Sequence, residues 1–424
     1  MHAINYTRRK LCTMSGLSIR TMIISYSILT VCVFLHVYLP LLASNQVLSM
    51  DDAVKLLHES QLPIKTGPDA DNRHIISIVT GSTSGIGKEI AATLYSFGMT
   101  VVVASRNTDK CQKTMADIQA QYPGSRGALL AGLVDTGDLA SVARFTQDFQ
   151  AQHSALHLLV LNAGIHYVSS YLTPDGLSAM DTPLPLVSKQ NYDLAFATNY
   201  LGHFLMAKML TPTLLASGAG TRVLSVSSTY HVIADGEMLR PGAGGAAPIA
   251  ARGDLNSHAH RDLSYGNNKL AQVLHAKESQ RRLQGDAAQD LKFVSFCPGW
   301  VDTGILPENV GGRIVASLAF PTKAGVIGVI GGLFSSKIQG GEYVGNYDNI
   351  FLGQSWSDDF FSFVSRNGLR TTIVHALSVV VLFLQGTSYG FHIEEPSPEA
   401  RDGLLAKSLF DWSDAEVSNY ISKN

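Results

Sequence analysis

Between Ile75 and Gly345 the chain alternates short β-branched or apolar runs with longer helical stretches, and this alternation limits the fold more than any other feature. The runs are Ile75–Thr80, Thr100–Ala104, Ala128–Val134, Leu156–Leu161, Arg222–Ser227 and Phe293–Cys297. The stretches between them include Gly87–Phe97, Asp109–Gln121, Leu139–Gln152, Asn191–Leu215 and Tyr265–Leu283. Strands that are apolar throughout, separated by helices, predict a parallel sheet covered on both faces. Right-handed crossovers then give an α/β fold, a Rossmann-type doubly wound parallel sheet whose ligand lies at the carboxyl ends of the strands.

Composition narrows the function. Lys plus Arg total 32 against 34 for Asp plus Glu, a formal charge of -2, which argues against nucleic acid as a partner. An apolar content of 46% is enough for a core and excludes disorder as a description of the whole chain. Cys12, Cys32, Cys111 and Cys297 show no CxxC spacing, and His231, His258 and His260 lack a carboxylate-and-histidine pattern. No metal site and no disulfide framework is expected.

The N-terminus sets a membrane question. No charged residue occurs from Thr21 to Met50, and Met22–Ala43 is almost continuously apolar. Twenty-two helical residues reach about 33 Å, enough for a hydrocarbon core of about 30 Å. The expected organisation is a basic segment at 1–21, a transmembrane anchor at 22–43, a linker at 44–72 and one catalytic domain at 73–424. An uncleaved anchor is favoured over a signal peptide because the apolar stretch exceeds an h-region. The basic residues before the span leave the bulk of the chain lumenal, whereas the unpaired cysteines suit a reducing compartment, so the topology stays open. Thr371–Leu384, at about 21 Å, suits a membrane-surface or core helix. Insertions are expected near 169–189, 235–261 and 352–397, the second a flexible Gly/Ala/Pro tract.

Four groups of residues carry chemistry. The first run ends in Thr80-Gly81-Ser82-Thr83-Ser84-Gly85-Ile86-Gly87 and turns helical, the context in which glycines let backbone amides approach a pyrophosphate. The second run ends in Ser105-Arg106 where an NAD site would place an acid, so Arg106 is expected to meet a 2′-phosphate, making the cofactor NADP(H). Tyr265 and Lys269 share one helical face. The cation is expected to lower the phenol's pKa, making Tyr265 a general acid/base. The fourth group, Asn199, Ser228 and the Pro298-Gly299 turn, gains its meaning from order along the chain.

Taken in that order, these motifs resemble the classical short-chain dehydrogenase/reductase family over about residues 74 to 345, with a further stretch at 395–416. The resemblance rests on TGxxxGIG at Thr80–Gly87, Asp135, Asn162-Ala163-Gly164, Asn199, Ser228, Tyr265 with Lys269, and Pro298-Gly299-x-Val301-x-Thr303. It implies catalysis by Asn199, Ser228, Tyr265 and Lys269. It also implies a cofactor site using the glycine turn, Arg106, Asp135 against adenine, Asn162-Ala163-Gly164, and Pro298, Gly299, Val301 and Thr303 over the nicotinamide. Asn199 would position a water linking Lys269 to solvent.

Within the family, Asn199–Phe204, Ser227–His231, Ser397–Arg401 and Leu409–Ser413 are similar to the branch of retinol-dehydrogenase-like and WW-domain oxidoreductases. No WW domain precedes the dinucleotide unit here. That likeness implies a lipophilic alcohol/carbonyl substrate of the retinoid or steroid class, an endoplasmic reticulum or other endomembrane location, and pairing into a homodimer through long helices. The alternative is a catalytically silent lipid-binding or scaffold protein on the same fold. Ser228 and Tyr265 stand 37 positions apart, so the Gly/Ala/Pro tract must loop out for them to meet.

Overall fold

The computed structural model describes residues 50–66, 70–166, 187–253, 258–299, 301, 322–347 and 389–421. The chain divides into two compact units, Met1–Val47 and Leu48–Asn424, of which the first lies outside the described residues. Both membrane-related segments, 22–43 and 371–384, lie outside them too, as do 169–186 and 352–388 of the expected insertions. Among the described residues no helix is long and apolar enough to cross a membrane.

Eight strands form one sheet: β1 (Asn72–Thr80), β2 (Met99–Ser105), β3 (Ala128–Leu133), β4 (Leu158–Leu161), β5 (Thr221–Val226), β6 (Leu291–Cys297), β7 (Tyr343–Tyr347) and β8 (Tyr389–Glu394). Their order is β3-β2-β1-β4-β5-β6-β7-β8. β1 to β7 pair in parallel, and β8 closes the edge antiparallel to β7. The strand order reverses between β1 and β4, the switch point at which an open α/β sheet leaves a crevice.

Side chains alternate across the sheet. Ile78, Val102, Leu159 and Leu161 enter one core, Val79, Val101, Val103 and Val160 the other. The first core is covered by α4 (Leu139–Gln152), α5 (Gly202–Ala216), α6 (His258–Arg282) and α8 (Gly403–Ile421). The second is covered by α2 (Gly85–Ser96), α3 (Thr108–Gln121) and α7 (Thr322–Phe334). The segment read as a linker contains α1 (Met50–Glu59), with Leu57 and Leu62 buried in that second core.

Three features differ from the sequence reading. Residues 389–394, assigned to an insertion, are the edge strand β8. The Gly/Ala/Pro tract is a chain of single 3₁₀ turns at Gly236–Leu239, Ala243–Gly245 and Ile249–Ala251. Leu239, Ala250 and Ala251 bury in the core and anchor it. The helix expected over 191–215 is interrupted by a π-helical turn at Ala197–Leu201.

The helix α8 lies along α5 and α6. Phe410 sits 4.9 Å from Phe204, Tyr200 shares a 2.9 Å hydrogen bond with Ser413, and Arg282 stacks on Phe410 and pairs with Asp411. That face of the long helices is therefore occupied by the chain's own C-terminal helix.

Candidate active site

The end of β1 is shaped by Thr80. Its hydroxyl accepts from the backbone amides of Asn162 (2.9 Å) and Ala163 (3.0 Å), tying the β1 turn to the β4 turn across the switch point. The turn then requires glycine twice. Gly81 has φ +64, and a Cβ there would stand 2.7 Å from Ala163 Cα. A Cβ on Gly87 would meet Asn162 Nδ2 and lie 2.5 Å from the Gly81 carbonyl. The bend is thus close-packed backbone opening into the N-terminus of α2, an arrangement that presents amides to an anion.

Arg106 follows β2. Asn107 caps α3, its side chain accepting from Lys110 N at 2.8 Å, and this turn brings Arg106 and Lys110 to the same cleft wall. Asp135 follows β3 and holds its turn by accepting from Gly137 N at 3.0 Å.

Ser228 follows β5 in extended backbone. Its Oγ accepts from Tyr230 N at 3.2 Å, capping the 3₁₀ turn Thr229–Ile233. Opposite, α6 presents Tyr265 and Lys269. Lys269 Nζ donates to the Val226 carbonyl at 2.7 Å and stands 5.2 Å from the Tyr265 ring centroid. His166 and Tyr230 flank the phenol, with ring centroids 4.4 and 5.7 Å from it.

These residues surround one cleft of about 860 Å³ at the carboxyl ends of the strands. Of the residues expected from sequence, Gly81, Ser84, Gly85, Ile86 and Gly87 line it from the β1 turn, with Arg106 and Asp135 from the next two strands. Asn162, Ala163 and Gly164 line it beyond β4, and Ser228, Tyr265 and Lys269 line it as well. Pro298, Gly299 and Val301 close it beyond β6. Thr303 lies outside the described residues.

Three expected residues sit behind the wall. Thr80 is buried as above. Ser82 Oγ donates to the Val79 carbonyl at 2.8 Å and accepts from Ala104 N at 3.0 Å, so it braces β1 against β2. Asn199 is fully buried in the π-helical turn, its side chain exchanging two hydrogen bonds with the Ile165 backbone at 2.8 and 2.9 Å. Its carbonyl accepts from Gln272 Nε2 at 2.7 Å. Sequence reasoning missed Lys110, His166 and Tyr230. Only Lys110 left a signal, a second cation four residues after Arg106.

The expected acidification of the phenol is corrected by the structure. Burial pushes the Tyr265 phenol well above its ordinary value, with the neighbouring Tyr230 and Cys297 adding to the effect. Burial also pulls the Lys269 ammonium down to about 8. Desolvation disfavours both charged forms, and in the open cleft it outweighs the attraction between them.

The family model for short chain dehydrogenase matches residues 75–237. The chain is 35% identical to polyprenol dehydrogenase of Mus musculus over 232 residues, covering 54% of this chain and 60% of that protein. It is 30% identical to a short-chain dehydrogenase/reductase of Emericella nidulans over 247 residues, 57% of this chain and 71% of that protein. The fold matches the crystal structure of an uncharacterised Mycobacterium paratuberculosis protein with TM-score 0.52 and 22% identity, over 84% of this chain and 97% of that one. With the glycine bend, the serine and the tyrosine–lysine pair on one cleft, the chain belongs to the short-chain dehydrogenase/reductase family.

Proposed function

We propose that the chain is an NADP(H)-dependent oxidoreductase that interconverts a lipophilic alcohol and its aldehyde or ketone. One observation carries the reading: Ser228, Tyr265 and Lys269 converge on the cleft that the β1 glycine bend opens. The cleft fits a dinucleotide, since Cβ atoms at Gly81 and Gly87 would fill the bend and Lys269 is a buried cation at its far end. Arg106 and Lys110, on the wall beyond β2, support a 2′-phosphate and hence NADP(H) over NAD(H). When bound, the nicotinamide supplies the hydride in reduction and accepts it in oxidation.

The chain's own residues do the rest. Ser228 Oγ accepts from Tyr230 N, which leaves its O–H to donate to the substrate oxygen as negative charge develops there. Tyr265, held protonated by burial, gives its proton to that oxygen in reduction. Loss of that proton leaves a phenolate, which the Lys269 ammonium stabilises; in oxidation the phenolate takes the proton from the alcohol and returns to the phenol. His166 and Tyr230 beside the phenol exclude water and favour an apolar substrate. Asn199 acts from behind the wall by fixing Ile165 and offering its carbonyl to Gln272. The mouse relative's name points to a polyprenol, an apolar alcohol, in agreement with a lipophilic substrate. This chain spans 60% of that relative's length, so its substrate is part of the proposal. Attachment to an endomembrane through Met22–Ala43 is also part of it and rests on the sequence alone.

The test is a screen of lipophilic aldehydes, ketones and alcohols with NADPH or NADP⁺ on the full chain, followed by absorbance. The Tyr265→Phe protein is expected to lose at least about a hundredfold in turnover while binding NADPH within about twofold of wild type. Unchanged turnover in that variant would remove Tyr265 as the acid/base, and wild-type turnover of none of these compounds would favour the silent scaffold.

A further inference from the structure

Two motifs play no part in the chemistry above: His231, three residues beyond the serine, and the Ser397–Arg401 segment, which is 166 positions later. The structure joins them. His231 is 2% exposed, its Nδ1 lies 2.8 Å from the Ser228 carbonyl, and its Nε2 accepts from Ser397 N at 3.1 Å. Because the Ser397 amide can only donate, Nε2 carries no proton. The ring proton therefore sits on Nδ1 and is donated to the Ser228 carbonyl.

We propose that His231 is a positioning residue through which the C-terminal segment holds the catalytic serine. Four contacts make this one device. The His231 ring lies against Tyr343 of β7 at 4.7 Å, which fixes its plane. Ser397 is itself fixed, its hydroxyl accepting from Ala400 N at 3.3 Å. Gly236, just past the serine's turn, approaches Leu405 and Glu399 so closely that a Cβ there would stand 3.1 and 3.3 Å from their side chains. Arg240 reaches Asp402 at 3.5 Å. The serine's turn has a second hold on its other side, where Thr229 N and Gly299 N both donate to Cys297 Sγ. A side chain with both ring nitrogens used inside a core has one orientation. The Ser228 carbonyl, and with it the direction of Oγ, is set by a segment remote in sequence. The inference rests on the oxidoreductase reading, in which Ser228 donates to the substrate oxygen.

Ser397 offers a clean test, because its φ of -53 suits proline. Ser397→Ala loses the hydroxyl cap and keeps the N–H; Ser397→Pro loses both. Full-chain proteins carrying each change are compared by hydrogen exchange over residues 228–234, by NADPH affinity, and by kcat and KM. Ser397→Pro is expected to exchange faster over 228–234 than Ser397→Ala. Its kcat should lie about three- to tenfold below that of Ser397→Ala, with KM and NADPH affinity within about twofold. His231→Asn, which keeps a donor for the Ser228 carbonyl but cannot reach Ser397, should match the proline variant. Equal kcat in Ser397→Pro and Ser397→Ala overturns the proposal. If wild type turns over no substrate, the oxidoreductase reading fails. Exchange over 228–234 then decides the coupling alone, and equal rates in the two variants overturn it.

Discussion

The buried Lys269 should make the protein less stable near neutral pH than the same chain without it, and the size of the effect can be worked out. Its ammonium titrates at about 8 in the fold against 10.5 in the unfolded chain. Between those values the unfolded state binds more protons, so stability rises with pH across the window. Below pH 8 both states are charged and the burial penalty is complete; above 10.5 both are neutral and it is gone. At about 1.4 kcal/mol per pH unit the penalty is about 3 kcal/mol. Lys269→Met removes it and also the bond to the Val226 carbonyl, a loss of about 1–2 kcal/mol. The variant should therefore be more stable by about 1–2 kcal/mol at pH 7 and less stable than wild type by pH 10.5. Urea unfolding at pH 7, 8, 9 and 10, followed by fluorescence of the buried Trp412 among the chain's tryptophans, measures both curves. Other titrating groups cancel in the difference. Curves that run parallel from pH 7 to 10 would falsify the claim that desolvation dominates at this lysine.

Two further substitutions probe the cofactor end. Arg106→Ala should weaken NADPH about ten- to a hundredfold and leave NADH unchanged, as a charge-assisted contact to a 2′-phosphate requires; equal effects on both, read by cofactor fluorescence, would remove Arg106 from that role. Gly87→Ala places a methyl on Asn162 Nδ2, whose bonds to the Thr80 and Gly81 carbonyls are 2.9 and 3.3 Å. It should lower stability by about 1–3 kcal/mol and weaken NADPH, whereas Gly124→Ala, with open space around its Cβ, should be neutral in thermal unfolding.

Most of the strands were legible because they are buried on both faces, and the partly exposed edge strand β3 because it is apolar throughout. Each of the six runs read from sequence overlaps a strand of the sheet, with ends shifted by a few residues at most. The five-residue β7 and the edge strand β8 were not, the latter because Tyr-Gly-Phe-His-Ile-Glu is short and follows a long apolar stretch that drew the segment into an insertion. The residues proposed as catalytic were singled out by motif order, but their depth was not legible. Thr80, Ser82 and Asn199 look like cleft residues in a linear motif. In the fold their side chains are taken up by backbone groups of neighbouring strands and of the turn after β4. The π-helical turn is invisible for the same reason, since its Asn199 carbonyl is met by Gln272, 73 positions away. Phenol acidity failed from sequence because spacing reports that a cation is near and says nothing about how much water either group has lost.

In the open cleft Tyr265 is held as the neutral acid and the Lys269 ammonium is the strained partner, its charge kept by one backbone carbonyl. The proton needed for reduction is already in place, whereas oxidation requires a phenolate that burial opposes. Anything that brings negative charge or hydroxyl acceptors to Lys269 strengthens its ammonium and, through it, lowers the cost of the phenolate. Acid–base competence in the oxidative direction is thus a property of the filled cleft. The pH dependence of oxidation should follow the loaded enzyme, with a lower apparent pKa than direct titration of Tyr265 in the free chain would give. A direct titration that coincided with the kinetic value would mean that the phenol is tuned by the protein alone.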